Sequence, residues 1–78
     1  MSVYSMQWSY EQDLQPHLKH ILLILSDIAM PDGYIGDLDI EDLASKSGQS
    51  IYILFEILQD LTETGHLERD GDRFTLSI

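Results

Sequence analysis

The hydrophobic positions between Asp39 and Gly65 set the frame of this chain. In DIEDLASKSGQSIYILFEILQDLTETG they recur at helical spacing, first as Ile40, Leu43 and Ala44, then as Ile51, Leu54, Phe55, Leu58 and Leu61. That spacing predicts two helices joined by a tight turn. Asp39 is a candidate N-cap for the first, with Asp42 three residues on, and Ser50 is a candidate cap for the second. Gly48 can take the left-handed conformation that stops the first helix, and the second stops at Gly65. The next segment, HLERDGDRFTLSI, holds two short strand-like runs around Asp70-Gly71, a strong hairpin signal.

Upstream, Pro16 fits the first turn of a helix, where its missing N–H costs nothing. Leu18, Ile21, Leu22, Leu25 and Ile28 form an inward stripe that Leu23 and Ile24 widen until the helix is apolar nearly all round. Such a helix belongs at the centre of the core. Pro31-Asp32-Gly33 ends it as a turn, and Tyr34-Ile35 is a candidate short strand that pairs with the hairpin. Residues 1–13 carry a different rhythm. Tyr4, Met6, Trp8 and Tyr10 nearly alternate with polar neighbours, which predicts one apolar edge of an extended arm. The arm either lies across its own core or crosses to a second subunit. The order predicts a mainly α, α+β fold. Residues 14–78 read as a single winged helix-turn-helix domain, three helices plus a β-hairpin wing, preceded by the 1–13 arm.

Four stretches carry a family resemblance: MSVYSMQWSYEQDL, PHLKHILLILSDIAMPDG, IEDLASKSGQS, and an LxxLxxxGHL ending made by Leu58, Leu61, Gly65, His66 and Leu67. From Met1 to about Leu67 the chain resembles the helix-turn-helix domains common in phage and prophage genes, including the N-terminal domains of phage replication initiators. The resemblance implies a winged fold and a role in reading DNA. In that family the helix after the Gly-x-Ser turn usually opens with arginines, lysines and small polar residues. Here the same place holds Ile51, Tyr52, Ile53, Leu54, Phe55 and Glu56. The frame is kept and the DNA-reading chemistry is replaced.

Charge sharpens that departure. Fourteen Asp and Glu face only Lys19, Lys46, Arg69 and Arg73, a formal charge of −10 over 78 residues. DNA binders draw most of their affinity from neutralising phosphates with Lys and Arg, whereas a field of this sign repels a polyanion and attracts basic surfaces. If Leu54, Leu58 and Leu61 face the core, then Ile51, Tyr52, Phe55, Glu56 and Gln59 occupy the positions that a helix-turn-helix presents to the major groove. Base readout wants Arg, Lys, Asn or Gln there. Glu56 and Asp60 instead meet phosphates with the wrong sign. In the hairpin, Arg69 and Arg73 stand beside Glu68, Asp70 and Asp72 and bring no net positive charge. Direct nucleic-acid binding is therefore not expected.

Ile51 and Phe55 have two possible fates, burial beneath the arm or wing, or exposure as part of a protein interface. Tyr52 suits an interface, since its ring gives area while its hydroxyl can still be paired. An apolar centre rimmed by Glu56, Asp60 and the acidic run Asp37, Asp39, Glu41 and Asp42 resembles a binding face for a basic protein partner. The leading expectation is a non-enzymatic protein whose carboxylates stand in for phosphates, a DNA mimic acting on a host nucleic-acid-binding or defence complex. In size and charge alone it is similar to anti-CRISPR proteins. The alternatives are a DNA-binding transcription or replication regulator, and a homodimeric assembly module, with the arm as one route to dimers.

Other chemistries find little support. His17 and His20 lie three apart, a permissible metal spacing, but no third ligand accompanies them. Asp37, Asp39, Glu41 and Asp42 do not match a calcium loop, and a cap plus a solvated acidic face explains them. There is no nucleophile elbow, phosphate-cradling glycine loop or Ser/His/Asp frame, so no enzyme and no cofactor are expected. With 44% apolar residues the chain has material for a core, and it contains no cysteine for disulfides or thiolate metal sites. No apolar run reaches the roughly 18 residues of a membrane span. The N-terminus lacks the basic start and apolar core of a signal peptide, and a cytoplasmic location in a bacterial host is expected.

Overall fold

The computed structural model describes residues 3–78, so the first two residues of the expected arm lie outside the described residues. In chain order the elements are α1 (Val3–Glu11), α2 (Pro16–Ile28), β1 (Tyr34–Asp37), α3 (Ile40–Ser47), α4 (Ile51–Glu63), β2 (Leu67–Asp70) and β3 (Arg73–Leu76). The described residues thus form four helices and three strands, an α+β arrangement with one helix more than the sequence pattern announced.

Core placement follows from α2. Ile21, Leu22 and Leu25 are fully buried, and the helix packs against α1, α3 and α4. Leu43 from α3, Leu54, Ile57, Leu58 and Leu61 from α4, and Leu67 and Leu76 from the sheet close the same cluster. Each fully buried aliphatic side chain of this kind contributes about 1.5–3 kcal/mol. Ile28 departs from the expected stripe. It lies in the last turn of α2, beyond the packed layer, and is 40% exposed beside a shallow hollow.

The largest departure is at the N-terminus, where an extended arm was expected and a helix is found. The inward face of α1 is built on Ser5 and Ser9, both fully buried, four residues apart. Small side chains there let α1 approach α2 closely, and their hydroxyls are satisfied. Ser26 donates to the Leu22 carbonyl at 2.8 Å, and the Ser9 hydroxyl donates in turn to Ser26 Oγ. Ser5 donates to the Met30 carbonyl at 3.4 Å. Trp8 packs against the core edge with its ring 6.3 Å from that of His66, while Tyr4 and Tyr10 face solvent. The alternation of aromatics therefore marks no shared edge. Ser9→Leu should overpack this contact and cost roughly 1–3 kcal/mol, read as a lowered urea midpoint. An unchanged midpoint would contradict the seating of α1 on α2.

The turn between α3 and α4 is built as its residues suggest. Asp39 Oδ1 accepts from the N–H groups of Glu41 and Asp42, both at 3.1 Å, and Ser50 Oγ accepts from Ile53 N at 3.2 Å. These caps satisfy donors that a helix start leaves without partners. Gly48 ends α3 in the left-handed region at φ 74°.

The three strands form one antiparallel sheet in the order β1-β3-β2. Tyr34 pairs with Thr75 and Gly36 with Phe74, so Ile35 is the extra residue of a bulge. The hairpin loop is Gly71-Asp72 rather than Asp70-Gly71, because Asp70 still pairs with Arg73. Only Gly71 of the two has positive φ, 62°, the arrangement of a type II′ turn with glycine first. At the entry to β1, Gly33 sits at φ 92° and its carbonyl accepts from Leu76 N at 2.8 Å.

Candidate functional site

The site begins with which way α4 faces. Each residue turns a helix by about 100°, so Leu54, Ile57, Leu58 and Leu61 share one stripe, and these four are buried. Phe55 falls well off that stripe and is 59% exposed, and Ile51 is 39% exposed at its margin. The choice between burial and exposure is settled in favour of exposure for both. Ile57, not Phe55, supplies the missing core position. Tyr52 is the most solvent-facing of the set at 73%. Ile51, Tyr52 and Phe55 are neighbours at i,i+3 and i,i+4 spacing and form one exposed apolar patch, while Ile53, also exposed, points to another side of the helix. Glu56, Gln59 and Asp60 are exposed on the same helix, Gln59 donating to Glu63 Oε1 at 3.3 Å.

Beside this face, α4, the β1–α3 corner and the hairpin enclose an open groove of about 600 Å³. Leu38, Ile40, Phe55, Leu58 and Phe74 form its apolar lining. Asp37, Gln59, Thr62, Arg69 and Asp72 supply the polar part. The structure thus brings Asp37, Phe55, Gln59, Arg69 and Asp72 together, and leaves Ile51, Tyr52, Glu56 and Asp60 outside the groove on the exposed parts of α4. Leu38, Thr62 and Phe74 were not singled out from the sequence, and Ile40 was named only for the apolar face of α3. Leu38 and Ile40 flank the Asp39 cap, and only the tertiary fold brings them into one groove with Phe74.

Two of the remaining acidic positions have local partners. Asp39 caps α3, and Asp42 pairs with Lys46 at 3.0 Å, both side chains half-exposed. Glu41 and Asp70 are exposed. Three of the four cations, Lys46 among them, have local partners. Lys19 donates to the Tyr10 carbonyl at 2.7 Å. Arg69 Nε donates to the Gly71 carbonyl at 2.8 Å while its guanidinium lies 5.8 Å from the centre of the Phe74 ring. Arg73 stands in register between Asp37 on β1 and Asp70 on β2. Opposite charges set across neighbouring strands favour each other, although Arg73 makes no ion pair with either carboxylate among the described residues, and in the hairpin Glu68, Asp70 and Asp72 outnumber Arg69 and Arg73.

His17 and His20 are exposed on α2, and His20 Nε2 lies 3.4 Å from the Ser47 carbonyl. His66 Nδ1 is 2.8 Å from Thr64 Oγ1. Among the described residues no group of three His, Asp or Glu side chains is placed to hold a metal ion. Among them, too, no helix is long and apolar enough to cross a membrane. Compared with protein-family models, curated proteins and solved structures, the chain gives no significant match in any of the three.

Proposed function

We propose that this chain is a phage-type winged helix turned to protein binding, without catalysis, and that α4 carries the interface. The order α2-β1-α3-α4-β2-β3, with β1 paired to the second strand of the hairpin, supports the winged-helix reading. The observation that carries the functional reading is the exposed apolar surface of Ile51, Tyr52 and Phe55 in the place where a winged helix presents cations to DNA. Contiguous exposed apolar surface of this kind marks protein interfaces.

In this reading Ile51, Tyr52 and Phe55 are the desolvated anchor. Glu56 and Asp60 beside them, with Asp37, Glu41 and the hairpin acids Asp70 and Asp72, provide a rim complementary to a basic partner. Electrostatic steering brings the partner in, and the apolar centre holds it. The partner class is a basic nucleic-acid-binding protein or defence complex whose groove the acidic surface fills in place of nucleic acid.

Two assays run together test this. Tagged protein is used to capture partners from a bacterial host lysate, with duplex DNA as competitor, and the purified protein is titrated into labelled duplex DNA at low salt. The expected result is capture of a basic protein that DNA competes away, and no saturable shift of the DNA alone. A DNA complex that forms without a protein partner and weakens steeply with salt would overturn the reading. So would an apolar homodimer that buries Tyr52 and Phe55 and captures nothing.

A further inference from the structure

We infer that the groove between α4 and the hairpin is a second, deeper part of that interface, and that its occupant is a basic peptide segment bearing one large apolar side chain. This deepens the proposed reading and rests on it. The groove lies alongside the exposed stretch of α4, with Phe55 belonging to both, so a partner seated on Tyr52 is already at its mouth. Its volume of about 600 Å³ lies within the range of ligand-binding clefts.

The chemistry of the lining selects the occupant. Leu38, Ile40, Phe55 and Phe74 line the groove together, a setting for an aliphatic or aromatic side chain. Asp37 and Asp72 stand on its rim and are exposed, so they favour Arg or Lys on the flanks of that side chain. The one cation in the lining, Arg69, is held to the Gly71 carbonyl and against the Phe74 ring. It walls the groove rather than recruiting an anion. A phosphate entering here would meet two carboxylates against that single engaged guanidinium, within a chain of charge −10. The groove therefore favours a basic peptide over nucleic acid.

The probe is a capped peptide, Arg-Arg-Ala-Leu-Ala-Arg-Arg, titrated into the isotope-labelled chain while backbone amide shifts are followed. Saturable shifts are expected at Phe55, Gln59, Thr62 and Phe74. The same peptide with alanine at its centre should bind roughly tenfold or more weakly, the loss expected for one unburied aliphatic side chain. Gln59→Trp, a substitution at an exposed position that fills the groove, should weaken the leucine peptide by a similar factor with thermal unfolding unchanged. Equal binding of the leucine and alanine peptides, or no saturable shift with either, would overturn the groove assignment. Shifts confined to Ile51 and Tyr52 would also overturn it while leaving the α4 reading standing. Equivalent groove shifts with a Glu-flanked peptide or with duplex DNA would overturn both.

Discussion

Gly33→Ala is expected to lower the stability of this domain by about 3 kcal/mol or more. At φ 92° an added Cβ is strained in itself, which costs roughly 1–3 kcal/mol. It would also stand 2.6 Å from the Leu76 carbonyl oxygen, a backbone atom that cannot swing aside. Relief requires β3 to move, and with it the Leu76 N–H bond to the Gly33 carbonyl, worth about 1 kcal/mol. For a domain of this size the loss corresponds to a fall in melting temperature of order 15 °C. Gly48→Ala is the control. Its φ is 74° but nothing lies within 4 Å of the added carbon, so only the conformational cost of about 1 kcal/mol applies. Equal losses at the two positions would contradict the close approach of the β1 entry to β3.

Phe55→Asp is expected to separate binding from folding. Phe55 is 59% exposed, so its loss should cost only about 1 kcal/mol of stability, through the part of its ring that the groove covers. Leu58→Ala, one turn on and 5% exposed, should cost roughly 2–5 kcal/mol. Partner capture should respond in the opposite order. A carboxylate at the centre of the apolar face should weaken it by about 30-fold, as loss of an interface anchor does. The checks are thermal unfolding and quantitative capture on the same preparations. A folded Phe55→Asp protein that captures as well as the parent would remove α4 from the interface.

The parts of the fold that follow from backbone chemistry were open to reading in the sequence. Asp39, Ser50 and Gly48 have few other uses in their setting, and they cap and end the helices as their types suggest. The strand at Tyr34 and the hairpin were legible for the same reason, although the loop itself proved to be Gly71-Asp72. Helix α1 was hidden because its inward face is made of serines. A search for apolar periodicity passes over Ser5 and Ser9 and catches the aromatics, two of which face water. The facing of α4 was ambiguous for the converse reason. From Ile51 to Phe55 every residue is apolar, so several stripes fit equally well until Ile57 and Leu61 meet α2 and the sheet. The groove could not be read at all. It is assembled from the β1–α3 corner, α4 and both hairpin strands, and no local pattern joins Leu38 to Phe74.

The most direct test of protein binding through α4 is photo-crosslinking from position 52. Tyr52 is 73% exposed, so a benzoyl-phenylalanine placed there should leave the fold intact. Irradiated in a bacterial host lysate, the variant is predicted to yield a covalent adduct with a basic protein that resists nuclease and disappears when Phe55→Asp is added. An adduct that nuclease removes, or one formed only with a second copy of this chain, would contradict the proposed function.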